Sequence, residues 1–186
     1  LRGFGFQGNA SRSGFSRDAS GMGIGAGLKD GLSEPGPWSV STVGFGEILP
    51  DHRNKVSLNH DVKDAWGLPV LEMDAKIRDN ELKMRKAMKE DIVEMFDSIG
   101  LKNATAWETT YHMGKGIHEM GTARMGRDPK SSVLNKHNQV WDAPNVFVTD
   151  GACMTSSSCV NPSLTYMALT ARAADFAVEE LKRGNL

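Results

Sequence analysis

The chain has 186 residues, which is enough to bury one sizeable core and predicts a single domain or part of a larger one. Its 22 basic residues nearly cancel its 23 acidic residues and no run of like charge stands out, so we expect no binding to nucleic acid. No apolar stretch approaches the roughly 20 residues that cross a bilayer, so we expect no direct membrane span and a small-molecule function.

Residues 1–36 are rich in glycine and serine and have few periodic apolar positions. This composition predicts a loop segment with short irregular elements. The run GMGIGAG at residues 21–27 has the wrong spacing for a dinucleotide-binding loop, and no buried strand precedes it, so we expect no phosphate site there. Because the chain begins with Leu1 and not with Met, we expect a piece of a longer protein.

Residues 38–75 contain short runs of β-favouring residues, WSVSTVGF, KVSL and PVLEMDA. Pro50, Asn54 and a WGLP turn at residues 66–69 separate these runs. The pattern predicts an antiparallel sheet.

A helix is predicted next, with Asp79 as its N-cap and Gly100 as its stop. Its apolar positions form one stripe, which predicts the face turned to the core. These residues are Leu82, Met88, Ile92, Met95, Phe96 and Ile99. We interpret the methionines among them as core residues.

The last segment begins with a predicted apolar strand, NVFVT at residues 145–149, which ends at Asp150 and Gly151. A serine-rich loop follows, and Asn161 and Pro162 then open a helix that we expect to run to about Lys182. Asn161 suits the N-cap, Pro162 suits the first turn, and Gly184 suits the end of the helix.

Three features of this segment could carry chemistry. His118 lies among glycines in HEMGTARMG, where an imidazole on a loop could accept a proton, although a single histidine is more often structural. Asn161 is an ordinary helix cap, yet the same helix start offers free N–H groups and the positive end of the dipole to an anionic group. Asp150 and Gly151 follow a strand, where backbone often approaches a phosphate, but such turns are common in any loop.

Cys153 and Cys159 are six positions apart, which matches no common zinc spacing, and no metal site is predicted. Two buried free thiols are the simplest interpretation. A local disulfide or a redox role is the alternative.

The segments HEMGTARMG, DPKSSVLN, NVFVTDGA and CVNPSLTYMALTARAAD follow one another in an order and spacing that resemble the C-terminal signature of the glucose-methanol-choline (GMC) oxidoreductases. The similarity is dense from His118 to Asp175. In amino-acid sequence these segments most resemble bacterial members that act on sugars, including glucoside 3-dehydrogenases and, more distantly, fructose and gluconate dehydrogenases.

This resemblance implies a catalytic pair in which His118 is the base and Asn161 is its partner. His118 would take the hydroxyl proton while hydride passes to flavin N5, and Asn161 would fix the substrate oxygen. The resemblance also implies FAD as the cofactor, lined by Asp150, Gly151, Asn161, Pro162 and Thr165, mostly through backbone amides.

The implied fold is α+β: a loop segment at residues 1–36, a substrate-binding domain at 37–117, and a signature region at 118–186. The last strand and helix would belong to the FAD-binding domain of a larger α/β flavoprotein. The usual GxGxxG fingerprint is absent from this sequence, so a missing N-terminal FAD-binding half is an implied partner.

The function that the resemblance implies is oxidation of a secondary alcohol of a sugar or glycoside to a ketone. A cytochrome or a small subunit would take the electrons in place of oxygen, and the compartment is left open between periplasm and cytoplasm. Two alternatives remain at this point: a non-catalytic sugar-binding or interaction module, and a GMC enzyme that acts on non-sugar alcohols.

Overall fold

The computed structural model describes residues 3–14, 19–108 and 113–186. Helices and antiparallel strand pairs make up its regular structure, which agrees with the expected α+β class. The strands are β1 Phe4–Arg12, β2 Trp38–Gly46, β3 Lys55–Lys63, β4 Pro69–Asp74, β5 Gln139–Val140 and β6 Ala143–Phe147, and the helices are α1 Ala26–Ser33, α2 Asp79–Ser98 and α3 Ser163–Lys182. None of the helices in these ranges has both the length and the apolar character needed to cross a membrane.

The chain divides into two compact units, one formed by Gly5–Phe45 and one formed by Gly46–Leu186 with the residues up to Phe4. In the first unit β1 pairs with β2. The N–H of Ser13 donates to the carbonyl of Pro37 at 3.1 Å, and the hydroxyls of Ser11 and Ser39 lie 3.3 Å apart. Residue numbers along β1 fall as those of their partners along β2 rise, so the two strands are antiparallel.

The prediction that residues 1–36 form a loop is wrong, since both β1 and α1 lie within them. Glycine, serine, alanine and asparagine fill most of β1, so its side chains give only a weak alternating pattern. Hydrogen bonds to β2, about 30 residues further on, define the strand instead. Helix α1 begins directly after the glycine-rich run, with Gly25 at its cap position.

Strands β3 and β4 form a separate antiparallel hairpin, in which Val56 pairs with Met73 and Leu58 with Leu71. The expected turn at residues 66–69 is confirmed: the Asp64 carboxylate accepts the N–H groups of Trp66 and Leu68, both at 2.9 Å. The single sheet predicted for residues 38–75 is wrong in its pairing, because β2 joins β1 and not β3. Local sequence specifies strands and turns, but not which strands meet.

Helix α2 begins at Asp79, so the residue at the cap position is Arg78 and not the predicted Asp79. The N–H of Arg78 donates to Glu81 at 3.1 Å, and the same carboxylate accepts the N–H of Leu49 at 3.3 Å. Burial alone would raise the pKa of Glu81, but hydrogen bonds from Leu49, Asn80 and Arg78 outweigh it and hold the pKa below its usual value. Glu81 therefore joins the helix start to the segment that follows β2.

The predicted apolar stripe of α2 is only partly buried. Met84 and Ile92 are 6% and 8% exposed, whereas Leu82 and Ile99 are 53% and 68% exposed. Glu81 and Met84, which the predicted stripe omits, are buried together with Ile92. The stop at Gly100 is confirmed, with the N–H of Leu101 donating to Phe96 at 3.0 Å.

Helix α3 begins at Ser163, later than the sequence pattern indicates. Pro162 stands at the cap position, and its carbonyl accepts the N–H of Tyr166 at 3.1 Å. The predicted role of Asn161 as the N-cap is therefore wrong, since it lies one residue before the cap. The end at Gly184 is confirmed, because the N–H of Asn185 closes the last turn on Glu180 at 2.9 Å.

The strand predicted at residues 145–149 is displaced, as β6 spans Ala143–Phe147. It closes a small hairpin with β5. The largest fully buried side chains among the described residues lie beside this hairpin: Leu134, Asn138 and Cys153. The Asn138 amide donates to the carbonyl of Val148 at 2.9 Å and accepts from Arg172 of α3, also at 2.9 Å. This satisfied buried amide fixes α3 to the hairpin region.

A ring stack adds a second contact between this region and α3. His137 stacks on Phe176 of α3 with centroids 3.8 Å apart and planes 6° from parallel, and Phe147 meets Phe176 edge-on. Burial, together with the nearby charges of Lys136 and Arg172, lowers the pKa of His137 below its ordinary 6.5, although Glu180 opposes the shift. The folded chain therefore favours the neutral imidazole.

This preference predicts a pH dependence of stability. The unfolded chain binds a proton at His137 more readily than the folded one, so the contribution of this site is complete above about pH 6.5 and declines as the pH falls. The variant His137→Phe keeps an aromatic stack and cannot titrate. Its unfolding temperature should match the unchanged protein at pH 7.5 and should fall less between pH 7.5 and pH 5.5, as followed by circular dichroism. Equal declines in both proteins would contradict the assignment.

Candidate active site

His118 lies on the loop between Gly114 and Gly121, directly before the segment that returns to the core. Its side chain is half-buried, and no hydrogen bond to another described residue engages the imidazole. The next side chain turns back on the loop, where the Glu119 carboxylate accepts the N–H of Gly116 at 2.6 Å. The loop is thus closed on itself around His118.

Backbone hydrogen bonds tie the segment after His118 to the turn after Asp150. The N–H of Ala123 donates to the carbonyl of Ala152 at 2.9 Å, and the N–H of Met125 donates to Cys153 at 2.9 Å. Asp150 itself caps this 3₁₀ turn of Gly151–Cys153, since its carboxylate accepts the N–H of Ala152 at 3.0 Å. Two segments that the sequence analysis singled out therefore lie side by side.

Gly151 is the closest point of this contact. A Cβ atom at this position would lie 2.7 Å from the carbonyl oxygen of Glu119 and 2.9 Å from the hydroxyl of Tyr166. No side chain fits in that space. The carbonyl of Glu119 is backbone and cannot move aside, and the Tyr166 hydroxyl closes the same space from another segment. Gly151 thus brings the residue after His118, the turn after Asp150 and the first turn of α3 into one cluster.

Tyr166 closes the cluster from the side of α3. Its hydroxyl lies 3.6 Å from the sulfur of Met120, two residues after His118. Burial raises the pKa of the Tyr166 hydroxyl, and the charge of Asp150 adds to the effect. A neutral hydroxyl is the form that packs against Gly151.

The other predicted residues lie around the start of α3. Asn161 and Thr165 are exposed, and Pro162 between them is buried. No hydrogen bond to a described residue is formed by the side chain of Asn161 or of Thr165. No hydrogen bond joins the side chains of His118 and Asn161 in the described part of the chain. The contact of Glu119 and Tyr166 at Gly151 joins the His118 loop to the first turn of α3.

No disulfide joins Cys153 and Cys159. The interpretation of two buried free thiols is confirmed for Cys153, whereas Cys159 is only half-buried. Burial raises the pKa of the Cys153 thiol, even though the Asn138 side chain hydrogen bonds to it. Cys153 therefore packs as a small apolar residue in the core.

Two surface clefts among the described residues are lined by neither His118 nor Asn161. One of about 830 Å³ runs along α2 beside Lys89, Val93 and Asp97. The other, of about 320 Å³, lies beside Arg127, Lys136 and Trp141. Neither cleft is part of the candidate site.

Sequence reasoning missed Glu119 and Tyr166. Glu119 directly follows His118 and lies three residues after Gly116, a spacing at which a carboxylate can close a turn. Tyr166 lies four residues after Pro162, one helical turn into α3, where it points back toward the loop. Both sequence patterns are local, and neither shows that the His118 loop contacts Gly151 and α3.

The sequence model of the family described as GMC oxidoreductase matches residues 50–170. This span is well over half of the chain and contains His118, Gly151 and Asn161. The chain belongs to the GMC oxidoreductase family, whose members typically use FAD. The expected family membership is confirmed.

Curated relatives agree with this membership. The chain is 39% identical over 71% of its length to a 2-methyl-1,2-propanediol dehydrogenase of Mycolicibacterium austroafricanum, covering 24% of that protein. It is 31% identical over 94% of its length to the fructose dehydrogenase large subunit of Gluconobacter japonicus, covering 31% of it. It is 28% identical over 76% of its length to a C-glycoside 3-oxidase of Arthrobacter globiformis, covering 28% of it. The chain therefore spans less than a third of the length of these relatives.

The cluster offers groups that suit one edge of a flavin. The first turn of α3 has N–H groups without helical partners, and exposed Asn161 and Thr165 flank it. The capped turn after Asp150 adds backbone amides beside them. These donors fit an electron-rich carbonyl edge.

The close packing at Gly151 predicts a large effect of a single methyl group. In Gly151→Ala the new Cβ must displace the Glu119 carbonyl or the Tyr166 ring, and we expect a loss of about 1–3 kcal/mol in the free energy of unfolding. Gly3→Ala, where nothing lies within 4 Å, is the matched control and should change it by less than about 0.5 kcal/mol. Denaturant unfolding measures both, and equal values would mean that the contact at Gly151 is looser than described.

Proposed function

We propose that this chain is the catalytic C-terminal part of an FAD-dependent oxidoreductase that oxidises a secondary alcohol of a sugar or glycoside to a ketone. His118 acts as the base, and Asn161 orients the hydroxyl group. The observation that carries the proposal is the cluster at Gly151, which joins the His118 loop to the start of α3 in a member of the GMC family.

His118 would take the proton of the substrate hydroxyl. The imidazole ring has a nitrogen that can accept a proton and release it after the reaction. Its half-buried position limits the water around it, and the closed loop limits the directions in which the ring can point. Both properties suit a base that must act at one atom.

Asn161 would hold the same hydroxyl from the side of α3. Its amide has both a donor and an acceptor, so it can bind the oxygen before and after the proton leaves. Pro162 occupies the cap position of α3, so the exposed side chain of Asn161 does not cap the helix. Asn161 would thereby fix which carbon of the substrate faces the cofactor.

FAD, when bound, supplies the acceptor for the hydride that leaves the carbinol carbon. Asp150, Gly151, Asn161, Pro162 and Thr165 would line its ring edge, chiefly with backbone N–H groups at the start of α3. The dipole of that 20-residue helix favours negative charge at the same place. The rest of the FAD site would come from the missing N-terminal half.

The substrate class has two candidates. The fructose dehydrogenase and C-glycoside 3-oxidase matches favour a sugar or glycoside, and glucoside 3-dehydrogenase chemistry is our first choice. The 39% identity to a propanediol dehydrogenase favours a small non-sugar alcohol. Met73, an apolar residue of β4, also lies against Gly114 at the start of the His118 loop, where a less polar substrate would be accommodated.

The electron acceptor would be a cytochrome or a small subunit in place of oxygen. Support comes from the match over 94% of the chain to a protein named as a large subunit, which implies further subunits in that assembly. The C-glycoside 3-oxidase match keeps oxygen as the alternative acceptor.

The role of His118 is tested in the complete flavoprotein. His118→Ala should lower the rate of flavin reduction by about a hundredfold or more, as loss of a general base does. Stopped-flow absorbance measures that rate, and His52→Ala, an exposed histidine on another segment, is the control that should leave it unchanged. Undiminished reduction in His118→Ala would refute the proposed base.

The substrate class is tested by bleaching of the flavin absorbance. A panel of glucosides, fructose, gluconate and short diols is added to the complete protein without oxygen, and we expect glycosides to bleach it fastest. Faster bleaching by diols selects the non-sugar alcohol candidate. A purified complete protein without flavin absorbance would support the non-catalytic binding module instead.

A further inference from the structure

The loop before His118 has a conformation that its own residues do not favour. Ile117 has a φ of 56°, in the left-handed region, and its side chain is 85% exposed. For a β-branched residue this backbone conformation is strained, because Cβ approaches the following carbonyl oxygen. Since the exposed side chain has little packing to offset that cost, another contact must hold the turn.

The Glu119 carboxylate supplies such a contact. Its Oε1 accepts the N–H of Gly116 at 2.6 Å, so one hydrogen bond spans Ile117 and His118 from outside. A hydrogen bond to an ionised carboxylate is short and roughly twice as strong as a neutral one. This hydrogen bond therefore opposes the tendency of Ile117 to leave the left-handed region.

The main chain of Glu119 is fixed on the opposite side. Its carbonyl oxygen lies on Gly151, where not even a methyl group would fit. The following segment is bonded to Ala152 and Cys153. His118 thus lies between a main chain anchored in the core and a turn that a single side chain closes.

We propose that Glu119 is the positioning residue for His118: its carboxylate closes the turn of residues 116–119 and so sets the direction of the imidazole. Glu119 acts through the backbone, because its Oε1 accepts the N–H of Gly116. The inference rests on the proposed role of His118 and adds to it the group that orients the base.

The test compares three variants of the complete flavoprotein. Glu119→Ala removes the acceptor, Glu119→Gln keeps an acceptor oxygen without the charge, and Glu94→Ala is a control on the exposed surface of α2. We expect Glu119→Ala to lower the limiting rate of flavin reduction about tenfold or more, with substrate affinity changed by less than about twofold. Glu119→Gln should recover most of the rate, and Glu94→Ala should equal the unchanged protein.

A second variant tests the left-handed residue directly. Asparagine adopts positive φ more readily than isoleucine. Adding Ile117→Asn to Glu119→Ala should therefore recover part of the lost rate, because the turn then needs less help from the carboxylate. Hydrogen exchange of the segment around Gly116, which requires no turnover, should be faster in Glu119→Ala and near normal in Glu119→Gln.

The outcomes separate this inference from the proposed function. If His118→Ala blocks reduction but Glu119→Ala reduces flavin at the normal rate, the positioning role is overturned and the base remains. If His118→Ala reduces normally, the proposed function fails first, while the exchange data still decide whether Glu119 closes the turn. Loss of flavin content or of unfolding temperature in Glu119→Ala, or no recovery in Glu119→Gln, would overturn the positioning role in favour of a structural or charge effect.

Discussion

The contact at Gly151 holds together the parts of the chain that could carry chemistry. The residue has no side chain, and the space where one would stand is filled by the Glu119 carbonyl and the Tyr166 hydroxyl. Close packing of this kind transmits small displacements, since neither backbone nor a helical aromatic ring can yield by much. A loop, a turn and a helix start, distant in sequence, are thereby kept in fixed relation.

The polar contacts around this point have different strengths and different tasks. The Asn138 amide is fully buried and bonded on both sides, so it fixes the position of α3. The Glu119 carboxylate is exposed and holds only a local turn. The first sets the scaffold, and the second adjusts one side chain upon it. This division agrees with the general need of active sites for rigid support and fine local orientation.

Elements with strong local signals were predictable from the sequence. The ends of α2 and α3 at Gly100 and Gly184, and the turn at residues 66–69, follow from glycine and asparagine-type turn chemistry that acts within a few residues. Strand β1 was not predictable, because its small side chains carry little pattern and a remote strand defines it. The start of α3 was displaced since Pro162 caps through its carbonyl, which no side-chain rule anticipates.

The sequence predicts which residues belong to the candidate site, but not the contacts that hold them together. A family signature points to His118 and Asn161, and it gives no account of what lies between them. Glu119 and Tyr166 became visible only through contacts between segments 30 residues or more apart, such as Glu119 with Gly151. Such contacts depend on how the chain closes on itself, and single-sequence patterns are local.

The hydrogen bond from Arg172 to Asn138 has a bearing on how this protein can vary in length. Arg172 and Tyr166 are six residues apart on one continuous helix, and each is engaged by a different neighbour. Inserting one residue between them would rotate one relative to the other by about 100°, so that only one of the two could keep its partner. The number of residues in α3 between Tyr166 and Arg172 is therefore fixed by these two contacts. Insertions should be tolerated better beyond Gly184 or in the serine-rich loop before Asn161.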